Sequence, residues 1–246
     1  MDRLAYIAMT GARHIMEQQG NVAHNLANAT TTGFRAQLDS FRAVPVQGDG
    51  LPTRAYVVDS TAGTDFTPGQ TQQTGRDLDV AINGKGWLAV QMSDGSEAYT
   101  RHGSLKVSEN GILQTHDGVN IQGQGGPITI PPDVGITIAK DGTVASIATG
   151  IKPGASTILG QIKLVNPPEQ NLQRGEDGLF RQKNGVDADT DPNVEVIGRS
   201  LEGSNVNVVE AMVNMIGLAR SFESQMSLLK NAENNATKAS QLLSLN

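Results

Sequence analysis

Cysteine is absent from this sequence of 246 residues, and aromatic residues are scarce, with five Phe, three Tyr and one Trp. The lack of cysteine excludes disulfide bonds, thiolate catalysis and zinc or iron–sulfur sites built from cysteine. Basic residues are also in deficit, since 19 Lys and Arg face 25 Asp and Glu to give a net charge of -6. A dedicated nucleic-acid-binding protein normally carries a basic face, so this balance predicts no nucleic-acid partner.

Long apolar runs are missing as well. No stretch of 18 consecutive apolar residues occurs, so we expect no helix that inserts into a membrane. The first apolar stretch, Leu4–Met9, is too short for the core of a secretory signal peptide, and no small-residue cleavage site follows it. Taken alone, these features predict a cytoplasmic chain, or export by a route that leaves the N-terminus uncut.

Both ends of the sequence have helical periodicity. Residues 4–26 place apolar or small residues three or four positions apart, except for a polar break at Gln18 and Gln19, and the Thr30–Gly33 run predicts a stop near Ala29. A second helix is predicted after Asn207, because Asn207 and Glu210 are spaced as in an N-terminal capping box. Two heptad-spaced series follow in it: Met212, Ala219, Met226, Glu233 and Ser240, and Met215, Phe222, Leu229, Ala236 and Leu243.

The middle of the sequence is predicted to be β-rich. Residues 35–77 are interrupted by Gly and Pro and are interpreted as an extended connector with one hairpin. From Leu78 onwards, short β-prone runs alternate with Asp-Gly or Asn-Gly dipeptides, which favour tight hairpin turns. The spacing of these runs predicts an antiparallel sandwich or barrel over residues 78–203, whose last part, 167–199, is interpreted as loops with one or two edge strands.

These patterns together predict an α+β fold with a divided assembly domain. Residues 1–34 and 204–246 would form an antiparallel coiled-coil-like helical domain, 35–77 the connector and 78–203 the β-rich domain. The net charge divides accordingly: residues 1–35 carry +1, residues 206–246 carry zero, and the middle carries -7. A long helix with an apolar stripe is not stable alone in water, so the stripe is expected to bury against other copies or other chains. A self-contained helical hairpin packed on the sheet is the alternative.

The sequence contains no complete motif for catalysis or metal binding. The four histidines lie apart, no Gly-x-Ser-x-Gly elbow accompanies them, and a catalytic triad is unsupported. Asp187, Asp189 and Asp191 imitate the start of a calcium-binding loop, but Pro192 and Gly198 stand where Gly and Glu are needed. We therefore expect a non-enzymatic protein without metal or cofactor.

Two sequence segments at opposite ends of the chain resemble those of a known protein family. Asn25-Leu26-Ala27-Asn28-Ala29-Thr30-Thr31-Thr32-Gly33-Phe34-Arg35 resembles the N-terminal signature of the bacterial flagellar rod and hook proteins. The segment Leu201-Glu202-Gly203-Ser204-Asn205-Val206, with Glu210-Ala211-Met212 after it, is similar to their C-terminal signature. Between them, Leu78–Ile82, Gly86-Trp87 and Ala98–Ser104 look like the β-domain that these proteins share. Within the family, the segments Gly33–Leu38 and Asp177–Arg181 look most like those of proximal rod members.

The resemblance implies a structural subunit of the proximal rod. Family members are exported uncleaved by the flagellar type III export apparatus and assemble in the periplasm. Their terminal helices line a central export channel with the β-domain outside, and the rod transmits motor torque. Implied partners are copies of the chain, other proximal rod subunits and the distal rod protein.

The residues expected to mediate assembly lie in the two terminal segments. In the N-terminal part these are Leu4, Ile15, Val22, Asn25, Leu26, Asn28, Gly33 and Phe34. In the C-terminal part these are Leu201, Ser204, Asn205, Val206, Glu210, Met212, Met215, Ile216, Phe222, Met226 and Leu229. The C-terminal apolar residues are expected to pack on the N-terminal helix and on neighbouring subunits.

Two alternatives remain at this stage. One is a distal rod or hook-type subunit of the same family. The other, from a different class, is a β-sandwich ligand-binding module with a helical oligomerisation tail, which would need exposed aromatic platforms. The aromatic residues available for this in the middle segment are mainly Trp87, Tyr99 and Phe180.

Overall fold

The computed structural model describes residues 2–45, 55–148 and 156–244. Two long helices enclose a series of short strands in chain order, so the α+β, β-rich class is confirmed. The helices are α1 (Asp2–Ala27) and α2 (Val208–Ser244), and a short 3-10 turn covers Glu169–Asn171. The strands in the first half are β1 (Gln37–Pro45), β2 (Ala55–Thr64), β3 (Thr71–Gln73), β4 (Val80–Asn83), β5 (Trp87–Gln91), β6 (Glu97–Thr100), β7 (Leu105–Val107), β8 (Leu113–Thr115) and β9 (Asn120–Gly123). The later strands are β10 (Gly126–Pro127), β11 (Val134–Ile138), β12 (Thr143–Ala148), β13 (Ser156–Gln161), β14 (Leu164–Val165), β15 (Leu172–Arg174), β16 (Phe180–Gln182), β17 (Glu195–Gly198) and β18 (Ser200–Glu202).

The chain divides into two compact units. The helical unit comprises Met1–Ala29, Ala36–Asp65 and Val206–Asn246, so it contains α1, α2 and the hairpin β1–β2. The β unit comprises Thr30–Arg35 and Phe66–Asn205. The predicted hairpin of the connector is thus the sheet formed by β1 and β2, which lie against α1 in the helical unit.

Every strand pairing of the described residues is antiparallel, as the turn dipeptides predicted. Gly95 and Gly111, the second residues of two such dipeptides, have φ angles of 85° and 77° that a residue with a side chain rarely adopts. The largest sheet of the β unit runs in the order β15-β16-β6-β5-β9-β8-β7. Strands β13 and β14 follow each other closely in the chain but lie in different sheets, and β16 pairs on both sides rather than lying at an edge as predicted for this region.

The first and last strands of the β unit pair with each other. Strand β4 pairs with β17, and β3 pairs with β18, so residues near position 75 lie beside residues near position 200. Aliphatic side chains from these and the neighbouring strands fill one core cluster, which includes Val80, Val90, Leu105 and Val196. This closure brings the two ends of the β unit together in space.

Aromatic residues form a second core cluster in the β unit. Trp87 and Phe180 have ring centroids 4.6 Å apart, and Phe66 lies edge-on to Trp87 at 6.0 Å. Tyr99 is buried with them, and its phenol oxygen accepts a hydrogen bond of 2.8 Å from the backbone N–H of Ala188. These aromatic side chains stabilise the interior, where about 1.5–3 kcal/mol accompanies the full burial of each large apolar side chain.

The buried phenol of Tyr99 predicts a loss of stability at high pH. Burial raises the pKa of Tyr99 to about 12, whereas an exposed phenol titrates near about 10. Between these values the unfolded chain releases this proton and the folded chain keeps it, so the contribution is complete below pH 10 and declines as the pH rises towards 12. Urea unfolding of the wild type and of Tyr99→Phe across this range measures the effect. The variant should show a shallower decline; an equal decline would contradict the assignment.

Candidate assembly surfaces

Helix α1 presents a heptad-spaced stripe of small and apolar residues. Ala8 and Ala12 are buried, and the residues that continue the spacing are half-buried. The predicted assembly residues Ile15, Val22 and Leu26 lie on this stripe. Leu4 falls within α1, but its side chain lies outside the described residues. The full stripe is Ala8, Ala12, Ile15, Gln19, Val22 and Leu26.

Helix α2 packs against α1 and carries a matching stripe. Its members are buried at the two ends and half-buried between them, at alternating steps of four and three residues: Ala211, Met215, Leu218, Phe222, Gln225, Leu229 and Ala232. The predicted residues Met215, Phe222 and Leu229 belong to it. Gly11 of α1 lies against the Gln225 side chain, since a methyl group at Gly11 would come within 3.4 Å of that amide.

A second apolar face of α2 is left exposed by the described part of the chain. Its first turns expose five side chains, which we call the α2 patch: Val208, Val209, Met212, Val213 and Ile216. The predicted assembly residues Met212 and Ile216 belong to the patch, and Ile216 is 55% exposed. Met226, further along α2, is also exposed. A contiguous apolar face of this kind is typical of a protein–protein contact.

The start of α2 has the expected cap. The Asn207 side-chain oxygen accepts hydrogen bonds from the N–H groups of Val209 and Glu210 at 3.1 and 3.3 Å. These bonds satisfy two backbone donors that the first turn of a helix leaves free. Glu210 itself is exposed in this turn, where its negative charge is favourable at the helix N-terminus.

The asparagines of the N-terminal signature fix the end of α1. Asn25 joins Gln37 at the start of β1 by two bonds, donating to its carbonyl at 2.9 Å and accepting from its N–H at 2.8 Å. Asn28 donates to the carbonyl of His24 in the last turn of α1 at 2.9 Å. Asn25 therefore sets where the hairpin begins relative to α1.

The remaining parts of the two signatures meet inside the β unit around a buried ion cluster. The Arg35 guanidinium donates to one oxygen of Glu202 at 2.5 Å, and Arg101 donates to the other at 2.9 Å. The exposed fraction of these side chains is 0% for Arg35, 1% for Glu202 and 4% for Arg101. The backbone N–H of Gly69 adds a third bond to the carboxylate at 2.9 Å. The predicted assembly positions Phe34 and Leu201 are thus direct sequence neighbours of residues that form a contact within the chain.

Gly33 and Phe34 lie next to this cluster. The N–H of Gly33 donates to the carbonyl of Glu202 at 2.8 Å. Gly33 has a φ of 70°, and a methyl group there would lie 2.4 Å from the carbonyl carbon of Arg101. Phe34 is buried, with the Arg174 guanidinium 4.6 Å from the centre of its ring. The glycine and phenylalanine of the N-terminal signature therefore have structural roles within the chain.

The C-terminal signature pairs with the first strands of the β unit. Leu201 is half-buried on β18 opposite Gln72. Asn205 donates from its side-chain amide to the carbonyl of Thr67 at 3.1 Å. Ser204 and Val206, which flank it, are half-buried.

Arg101 and Glu202 pair in the buried ion cluster, and sequence reasoning singled out neither of them. Both stand within words that carried the family resemblance, but nothing in local spacing links a residue at position 101 with one at position 202. The sequence signal that could have identified them is a charged residue inside an otherwise apolar or glycine-rich segment. Such a residue is rarely buried unless it is paired with an opposite charge.

The three aromatic side chains named as possible platforms of a ligand-binding module are not exposed. Trp87, Tyr99 and Phe180 are all buried in the aromatic core cluster. In the described residues, no group of three or more His, Asp or Glu is arranged to hold a metal ion. A cleft of about 430 Å³ lies between residues 166–168 and 186–192, with Ala188 at its buried side. None of the helices in the described part of the chain is both long and apolar enough to cross a bilayer.

Comparison with known proteins gives consistent family matches. The model of the flagellar hook protein FlgE/F/G D1 domain matches residues 81–146, and that of the flagellar basal body rod FlgEFG protein C-terminal region matches residues 198–242. The chain is 47% identical to the flagellar basal-body rod protein FlgF of Escherichia coli strain K12 and 46% identical to that of Salmonella typhimurium strain LT2, over 100% of both chains in each case. Identity to the flagellar basal-body rod protein FlgG of Agrobacterium fabrum strain C58 is 32%, over 98% of this chain and 99% of that protein.

Proposed function

Because this chain belongs to the FlgF family of flagellar basal-body rod proteins and is a structural subunit of the flagellar basal body, we propose that it polymerises into the proximal rod through its terminal helices. The stripes on α1 and α2 pair in an antiparallel, coiled-coil-like manner within one subunit. The assembly domain is proposed to consist of the terminal segments, residues 1–34 and 204–246, of which residues 30–34, 204 and 205 belong to the β unit. The family is one of structural proteins rather than of enzymes.

The observation that carries this proposal is the exposed α2 patch. The heptad stripe of α2 already faces α1, so the patch is a second apolar face on the same helix. Seen along the helix axis, Ile216 and Phe222 are separated by about 120°, given about 100° per residue. One face is thereby used within the subunit, and the other is available to a neighbouring subunit.

The charge distribution suits close packing of many helices. Residues 206–246 carry three basic and three acidic residues, so their net charge is zero. Repeated contact between copies of a strongly charged helix would be opposed by repulsion between like charges. Met212 in the patch adds a flexible side chain that adapts to non-identical neighbours.

The partners follow from this arrangement. The α2 patch binds copies of this chain, other proximal rod subunits and, at the junction with the distal rod, FlgG. The assembled rod lies in the periplasm, surrounds the export channel and transmits motor torque. The chain reaches this site through the flagellar type III export apparatus without cleavage of a signal peptide.

Ile216→Asp tests the proposal directly. The substitution places a charge within the exposed patch, so the isolated chain should remain folded while incorporation into basal bodies and motility are lost. The measurements are circular dichroism of the purified chain, detection of the chain in isolated basal bodies, and swimming in soft agar.

Asn214→Asp is the matched control. Asn214 is exposed two residues earlier, about 160° around the helix from Ile216, and the same side chain is introduced. We expect normal rods and normal swimming for this control. Normal rods in the Ile216→Asp strain would overturn the proposal.

A further inference from the structure

The buried ion cluster of the β unit depends on a single carboxylate. Among the described residues, Glu202 is the only acidic residue within ion-pair distance of Arg35 or Arg101. The Nε and Nη1 atoms of Arg35 and the Nε atom of Arg101 have no hydrogen-bond partner there. Burial lowers the pKa of Arg101 and the nearby Arg35 adds to the lowering, whereas the Glu202 carboxylate and the more distant Glu169 oppose it. The two buried cations therefore share one carboxylate as their direct ion-pair partner.

That anion comes late in the chain. Glu202 follows Arg101 by 101 residues and Arg35 by 167 residues. The strands around it repeat this pattern, because β17 and β18 close the β unit by pairing with β4 and β3. Contacts between such distant segments stabilise the chain only after the entropy cost of closing the intervening loop has been met. An unpaired buried charge is also strongly unfavourable, so the arginines are not buried stably before Glu202 arrives.

We infer that Glu202 is a late-closing lock of the β unit: its pairing with Arg35 and Arg101 forms after the main folding barrier and then holds the two ends of the unit together. The unit consequently resists opening once complete but gains little from this cluster while it folds. For export, the consequence rests on the proposed function. A chain passing through a narrow channel in extended form keeps Glu202 away from both arginines until these segments have left the channel.

The inference is tested by measuring whether a mutation of Glu202 changes the folding rate or the unfolding rate. Trp87 is the single tryptophan, is buried in the β unit and lies 5.3 Å from the Arg101 guanidinium, so its fluorescence reports on this unit. In stopped-flow urea experiments on the full chain, Glu202→Gln should accelerate unfolding on the order of 100-fold and change refolding by less than about twofold. Glu195→Gln, an exposed glutamate on β17, is the matched control and should change neither rate.

Two results for the Glu202→Gln chain overturn the inference. One is a decrease in the refolding rate that accounts for most of the lost stability, which would mean that the cluster forms before the folding barrier. The other is a Glu202→Gln chain with the rates of the Glu195→Gln control. If Glu202→Gln does not fold, the folding and unfolding rates of Arg101→Lys are measured instead. This variant keeps the positive charge but loses the planar pair of guanidinium donors, so it should also accelerate unfolding and leave refolding nearly unchanged.

A triple variant tests whether the effect of Glu202→Gln arises from leaving the two arginines without an ion-pair partner. Arg35→Met, Arg101→Met and Glu202→Leu together remove all three charges, so this chain should unfold more slowly than Glu202→Gln, in which two buried cations are left without a partner. Equal unfolding rates would show that charge pairing is not what closes the unit. All these rates are measured on the isolated chain, so they succeed or fail independently of rod assembly, which the Ile216→Asp strain tests.

Discussion

Gly33→Ala should unfold the β unit under conditions in which the wild type is stable, with a loss of more than about 4 kcal/mol in the free energy of unfolding. The added methyl group would lie 2.4 Å from the carbonyl carbon of Arg101 and 2.5 Å from both the Arg101 oxygen and the His102 nitrogen. All three are backbone atoms, so no rotation of a side chain can relieve the overlap. The backbone must move, and the bond from the Gly33 N–H to the Glu202 carbonyl is then lost.

Gly185→Ala is the matched control, because it separates the cost of the φ angle from the cost of the overlap. Gly185 has a φ of 68°, almost equal to the 70° of Gly33, but a methyl group there would meet nothing within 4 Å. We expect it to cost only about 1–2 kcal/mol, the price of a left-handed conformation for an L-residue. Urea unfolding followed by Trp87 fluorescence measures both variants. Equal losses would show that the φ angle alone requires glycine at position 33.

Gly33 shows what the sequence could and could not reveal. The N-terminal signature that contains Gly33 indicated the family together with its C-terminal counterpart, and the assignment of Gly33 to assembly followed from that resemblance. Its partners in the structure are Arg101 and Glu202, far away in sequence. The local sequence pattern identifies such a segment as a family motif, but only the tertiary structure shows which other segment it contacts.

Local chemistry was sufficient for many individual elements. The Asp-Gly and Asn-Gly dipeptides placed hairpin turns at Gly95 and Gly111, and Asn207 caps α2 as expected. These predictions succeed because each depends on a few neighbouring residues with restricted backbone or hydrogen-bonding preferences. By contrast, the pairing of β3 with β18 has no local signal and was not predicted.

The stripe on α2 shows a subtler limit. Met215, Phe222 and Leu229 can be completed into a heptad pattern either by Met212 and Met226 or by Ala211 and Ala232, since both give alternating steps of three and four residues. Hydrophobicity favours the methionines. The structure buries the alanines and leaves the methionines exposed. Small residues on both helices, including Ala8 and Gly11 of α1, allow close approach of the backbones, and periodicity alone does not encode this choice.

Phe222→Asp is expected to separate α1 from α2 and abolish rod assembly. Phe222 lies at the centre of the α2 stripe, half-buried on the face with Ala211 and Ala232. The variant loses the packing of an aromatic ring and places a carboxylate against an apolar helix face, so we expect a loss of about 3–5 kcal/mol from the helix pair. Circular dichroism should show reduced helix content in the purified chain, and the strain should be non-motile without this chain in its basal bodies.

Ser221→Asp is the control, because it introduces the same side chain at the exposed neighbouring position. It should retain helix content and motility, and a motile Phe222→Asp strain with normal rods would contradict the expectation. The comparison with Ile216→Asp then distinguishes the two faces of α2. Phe222→Asp should lose both the intrachain helix pair and assembly, whereas Ile216→Asp should lose assembly alone. If both variants lost helix content equally, the α2 patch would be part of the folded subunit rather than a surface for its neighbours.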